Sequence, residues 1–222
     1  MINNKERFNR SNIGVLLTLF TLSIPAYGMS KDHDYAEKKK AKWLLRGMLI
    51  DVKPINISSN IAVIGGKVET PEKRILATDI SYFITESIAL GLQVGRVSRD
   101  YVINNSQLGS FKAGKIVSNS VSLTAQYHVD MCCHFFPYLE AGLNHTWTHK
   151  VTPAQGIPQF EVKPVNSSIL GAGFDYLLSD DWYLSSGIKY VKSPEYRFKG
   201  HGFNAGVKMD TLITSIGIAY LF

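Results

Sequence analysis

The stretch from Met209 to Phe222 constrains this chain most. Its residues Leu212, Thr214, Ile216, Ile218, Tyr220 and Phe222 alternate with Thr211, Ile213, Ser215, Gly217, Ala219 and Leu221. A period of two places the first row on one face of a β-strand and the second on the other. In a soluble sheet such a strand would leave an apolar edge able to template aggregation. A closed barrel has no free edge, and within a membrane only helices and closed barrels satisfy every backbone polar group. The stretch therefore predicts the closing strand of a barrel, with its large residues facing lipid.

The opposite end predicts how the chain reaches a membrane. Lys5, Arg7 and Arg10 precede an uncharged, largely apolar run from Ile13 to Ile24, followed by Pro25, Ala26, Tyr27 and Gly28. A basic head, an apolar centre and small residues at the cleavage positions make a secretory signal peptide, with cleavage expected after Gly28. The run falls short of the roughly 18 to 20 apolar residues a spanning helix needs, and no later segment supplies them. Residues 1–28 are thus assigned to the signal, 29–42 to a charged lead-in without apolar period, and 43–222 to one barrel domain.

Seven further segments alternate in the same way: Trp43–Pro54, Ile75–Ile84, Ile88–Arg96, Ser120–Val129, Phe136–Lys150, Ser168–Leu178 and Trp182–Tyr190. With the closing strand they make eight. Connections after the second, fourth and sixth strands are short, centred on Thr85–Ser87, Asp130–His134 and Ser179–Asp181. Those after the first, third, fifth and seventh are long: Asn56–Arg74, Val97–Lys115, Val151–Val165 and Lys192–Lys208. Strict alternation of short and long links predicts an all-β, eight-stranded antiparallel up-and-down transmembrane barrel, with tight periplasmic turns and large loops outside. Pro54 is expected to end the first strand.

Strand register sorts the side chains. Arg46, Asp79, Gln93, Gln126, Glu140, Asn144, Gly173, Asp175 and Lys189 fall on inward rows as candidate lumen-lining residues. Met48, Ile50, Ile169, Leu177 and Val191 add an apolar component to the same rows. Trp43, Tyr82, Tyr127, Trp147, Tyr176, Trp182, Tyr190, Tyr220 and Phe222 lie near strand ends, where aromatic girdles form. An eight-stranded interior is about wide enough for side chains to fill. The inward polar groups then either pair and plug the barrel, as buried charges must, or line a path for a ligand. A Trp at Gly173 is expected to block such a path.

Other chemistry has little support. Removing Lys5, Glu6, Arg7 and Arg10 lowers the formal charge from +6 to +4, and the positives are scattered rather than gathered into a nucleic-acid-binding stripe. The two cysteines, Cys132 and Cys133, are adjacent and do not constitute a disulfide framework. With His128 and His134 they are the one metal candidate, but without C-x-x-C spacing or a second ligand cluster. A lipid-modifying enzyme would need a nucleophile and a base in contact. His145 with Thr146, or His128 with Ser122, are the pairs available, and no orienting third group accompanies either. No cofactor, metal or catalytic residue is expected.

Several blocks also resemble a known family. Trp43–Pro54 (WLLRGMLIDVKP), ATDISYFITESIAL from Ala77, LTAQYHV from Leu123, FPYLEAGLNHTW from Phe136, GAGFDYLLSDDWYLSSGIKYV from Gly171 and the closing IGIAYLF from Ile216 are similar, in order, to the OmpW family of small outer-membrane proteins. Where that family carries a Pro-Pro pair opening the fourth strand, this chain has Ser118, Asn119 and Ser120. The resemblance implies a Gram-negative outer-membrane barrel whose narrow, partly apolar channel passes small hydrophobic compounds. Its expected partners are outer-membrane lipid, the barrel-assembly machinery through the closing strand, and a small hydrophobic solute. The alternative is a plugged barrel whose loops, with Lys112, Lys115, Arg197, Lys199 and His201, engage an anionic surface.

Overall fold

Eleven strands are present in the computed structural model, which describes residues 42–61, 65–131, 134–200 and 203–222. The signal segment, almost all of the lead-in, both cysteines and His201 lie outside the described residues. In chain order the strands are β1 (Trp43–Ile61), β2 (Lys67–Glu69), β3 (Lys73–Phe83), β4 (Ile88–Ser106), β5 (Gly109–His128) and β6 (Phe135–Pro153). They continue with β7 (Phe160–Val162), β8 (Val165–Ser179), β9 (Trp182–Lys192), β10 (Glu195–Gly200) and β11 (Phe203–Leu221).

The eight long strands follow one another in the order β1-β3-β4-β5-β6-β8-β9-β11, each antiparallel to its neighbour, and β11 pairs back onto β1. The sheet is thus a closed eight-stranded barrel. Its seam runs from Leu44↔Leu221 to Ile61↔Ala205, and Trp43 and Phe222 exchange backbone hydrogen bonds of 3.0 and 2.9 Å at its foot. The strand that the alternation around Ile216, Ile218 and Tyr220 marks as closing does close the barrel.

The strands are longer than the sequence pattern indicates. β1 continues past Pro54 to Ile61, because its pairing with β3 ends at Val52↔Lys73 and the edge beyond has no ladder for proline to break. A bulge between Ile55 and Ser58 carries the strand on, with Asn56 in the left-handed region that asparagine tolerates. The supposed loop Val97–Lys115 is a continuation of β4 and β5, paired as far as Ser106↔Gly109. Since a tilted spanning strand needs about 9–11 residues, roughly half of this hairpin stands outside the membrane. Lys192–Lys208 likewise folds into β10 and the start of β11, while β2 and β7 add short strands to β4 and β10.

Large apolar side chains face outward along the strands, among them Leu49, Leu92, Leu123, Leu143, Leu170 and Ile216, all exposed. The aromatic residues are distributed unevenly. Trp43, Tyr82, Tyr127, Tyr176, Trp182, Tyr220 and Phe222 gather at the short-turn rim, with Trp43 4.6 Å from Tyr82 and Trp182 5.0 Å from Tyr220. Only Trp147 and Tyr190 of that set lie toward the opposite rim.

At the first short turn, Thr85 Oγ1 accepts from the backbone N–H of Ser87 (3.3 Å) and Ile88 (2.9 Å). Thr85→Ala should therefore lower the unfolding free energy by about 1 kcal/mol, the usual net worth of such bonds. Urea titration in lipid vesicles checks this, and an unchanged midpoint would assign the turn's stability to its backbone alone.

Candidate functional site

The interior divides into two levels. Toward the short-turn rim it is filled. Arg46, on β1 and 1 % exposed, forks onto Asp175 of β8 through Nε (3.2 Å) and Nη2 (2.8 Å). Its Nη1 donates to Asp79 (2.7 Å) and Ser81 (2.7 Å) on β3. Ser81 donates on to Gln126 (3.0 Å), whose side-chain oxygen lies 3.2 Å from His128 Nε2. The Tyr138 ring stacks on His128 at 4.9 Å and lies under the Arg46 guanidinium at 5.2 Å. These groups come from β1, β3, β5, β6 and β8, so the network crosses the barrel.

A second ion pair adjoins it. Lys189 Nζ on β9 lies 3.1 Å from Glu140 Oε1 on β6, both buried. Neither Glu140 oxygen has a hydrogen-bond donor among the described residues. Charge alone holds this pair, whereas Arg46 is held by directed bonds as well. Glycines make room for the large plug side chains: a Cβ on Gly91 would meet Gln126, one on Gly171 would meet Glu140, and one on Gly173 would meet Tyr138. An eight-stranded barrel has little interior to spare, and small residues opposite large ones are how it fits.

Above the plug lies an open cavity of about 120 Å³. One arc of its wall is apolar: Ile50 and Val52 from β1, Ile75 and Ala77 from β3, and Ile213 from β11, with Ile169 and Val191 beside them. The opposite arc is polar, with Gln93 on β4, Ser120 and Ser122 on β5, and Asn144 and Thr146 on β6. Over it sits an apolar cluster of Ile61, Val68, Val207 and Met209, joined by Tyr101, Tyr196 and Phe198 from the extended strands. Outside the membrane level, burial pushes the Tyr101 phenol above its ordinary range.

All nine residues expected to line the lumen lie on the inner wall, but at two levels with different surroundings. Arg46, Asp79, Gln126, Glu140 and Asp175 belong to the plug, and Gly173 sits beneath Tyr138 within it. Gln93, Asn144 and Lys189 face the cavity. Of the inward apolar residues, Ile50, Ile169 and Val191 line the cavity, Met48 packs beside Ile50, and Leu177 lies away at the rim. Sequence reasoning missed Tyr138 and Ser81 as plug members. It also missed Arg99, because Val97–Lys115 reads as a loop, and Ile116, which precedes the expected start of the fourth strand at Ser120. The proline-free run Val97–Ile103, rich in β-branched residues and tyrosine, is the signal that marks a strand there.

The histidine pairs do not assemble. His145 is on the outer face, 2.6 Å from Asn166 and stacked on Trp147, while Thr146 accepts from Asn144. His128 lies between Phe83 and Tyr138, while Ser122 donates to Asn144 at 2.9 Å.

Known proteins share this architecture. The model of the OmpW family matches residues 39–222. Outer-membrane protein y4mB of Sinorhizobium fredii is 26% identical over 186 residues, covering 81% of this chain and 80% of that protein. The crystal structure of OprG from Pseudomonas aeruginosa superposes with a TM-score of 0.73 at 19% identity, over 82% of this chain and 96% of OprG. Outer membrane protein AlkL of Ectopseudomonas oleovorans is 24% identical over 66% of this chain and 65% of its own. The AlkL structure in DMPC bilayers superposes with a TM-score of 0.63 over 90% of this chain and 95% of that one, at 20% identity. A closed barrel with a lipid-facing apolar exterior, matched by the family model along its whole described length, identifies the chain as a member of the OmpW family residing in the Gram-negative outer membrane.

Proposed function

We propose that the barrel admits small apolar solutes from outside into the cavity above the plug. The observation that carries this reading is the apolar arc of Ile50, Val52, Ile75, Ala77 and Ile213, which pack side by side along the wall and border the cavity. A barrel with only a structural role would gain by filling that space with side chains, since unfilled apolar volume is destabilising. The plug below, held by Arg46, closes the direct aqueous path, so ions are excluded while an apolar solute is held beside the wall. No nucleophile and base meet among the described residues, which favours a binding and transport role over catalysis.

Gly95 provides the test. It lines the cavity, and a Cβ there meets only Ser120 Oγ, at an ordinary 3.4 Å. Gly95→Trp therefore places an indole in the lumen from a position whose Cβ meets no backbone atom. Liposomes holding the refolded protein should take up a neutral apolar tracer faster than empty ones, with low ion conductance, and Gly95→Trp should return uptake to the empty-liposome rate. Equal uptake by protein-containing and empty liposomes would overturn the reading and return the working surface to the loops around Lys112, Lys115, Arg197 and Lys199.

A further inference from the structure

One buried charge in the cavity wall has no counter-charge among the described residues. Arg99 on β4 is 6 % exposed, yet no described carboxylate forms an ion pair with it. Its Nη1 is directed at Met209 Sδ at 3.8 Å, a weak acceptor, and its Nε has no acceptor. The neighbouring Tyr101 hydroxyl accepts a hydrogen bond from the guanidinium but brings no negative charge. Arg46, the other buried arginine, shows what the chain does when a guanidinium is structural: it supplies two carboxylates and a serine. A guanidinium stays charged at any physiological pH and offers five donors in a planar fork. Burying it unpaired is costly, and the cost is recovered only when an anion arrives.

We propose that Arg99 recognises the carboxylate of a monoacid with an apolar tail, bound in the cavity. This rests on the reading of the lumen as a path for apolar solutes and adds the class of solute that the site selects. The fork matches a carboxylate's two oxygens. One buried, uncompensated positive charge calls for one negative charge, which a monoacid carries and a phosphate monoester exceeds. Ile50, Val52, Ile75 and Ile213 line the same cavity and cover the tail. A solute of this kind has a polar end and an apolar end, and the wall has both.

Decanoate and decanol serve as probes, being alike in length and differing in charge. Their binding to the full-length mature chain in nanodiscs is measured by calorimetry, alongside Arg99→Met and Arg99→Lys, with circular dichroism confirming that each variant is folded. The native chain should bind decanoate more tightly than decanol. Arg99→Met should weaken decanoate about tenfold or more, the range expected for loss of a charge-assisted bond, and leave decanol within twofold. Arg99→Lys, which keeps the charge and loses the fork, should fall between. Equal loss for both probes, or none for decanoate, would overturn the role of Arg99 while leaving apolar uptake standing. Failure of the native chain to bind either probe would overturn both readings together.

Discussion

Replacing Arg46 by methionine should lower the unfolding free energy of the barrel by about 3–5 kcal/mol, the range for removing one partner of a buried ionic network. The change removes four directed bonds and leaves Asp79 and Asp175 facing one another across the interior without their cation. Methionine has nearly the same reach, so lost packing contributes little. The triple variant Arg46→Met, Asp79→Asn, Asp175→Asn should recover most of the loss, because it removes the stranded charges as well. Urea unfolding in vesicles of fixed lipid composition measures both. A single variant within about 1 kcal/mol of the native chain would show that the plug is not a stabilising unit. Ion conductance supplies a second readout, expected to rise in the single variant as water enters around the two carboxylates.

The second large effect is expected at Gly173, where the sequence suggests an innocuous block and the structure shows a collision. A Cβ at this position lies 2.6 Å from Tyr138 Cζ and Oη and 2.6 Å from the Ser186 carbonyl oxygen. The first neighbour is a ring held between His128 and Arg46, and the second is backbone. Neither gives way without disturbing the plug or the β8–β9 ladder, in which Gly173 faces Gly187. Gly173→Trp should consequently refold in low yield, with a loss of stability above the roughly 1–3 kcal/mol of ordinary overpacking. Gly95→Trp should refold like the native chain and lose uptake. Refolding yield and uptake together separate the two. A normally folded Gly173→Trp would mean that Tyr138 swings aside freely and that the plug is looser than its bonds indicate.

These two glycines show where sequence reading stops. Both sit in alternating strands, Gly173 in GAGFD and Gly95 in LQVGR, and both fall on inward rows. Period two tells which face a residue takes and nothing about the height at which it meets a partner from another strand. Arg46, Asp79 and Asp175 were each assigned inward by period, yet their meeting depends on strand stagger. That stagger brings β1, β3 and β8 to one level although Arg46 and Asp175 are 129 residues apart. The extended hairpin of β4 and β5 was lost for another reason. Outside the membrane no lipid enforces apolar alternation, so Val97–Lys115 carries mixed residues and reads as a loop that takes Arg99 with it.

The sequence by itself determined the barrel, its strand count, its membrane and the face of each lumen residue, because closure and lipid contact impose a repeat that is local and legible. Only the tertiary structure decided that the interior is split into a bonded plug and an amphipathic cavity, and that one buried arginine is ion-paired while the other is not. Those depend on distances between strands far apart in the chain, set by stagger and by which side chains the narrow barrel has room for.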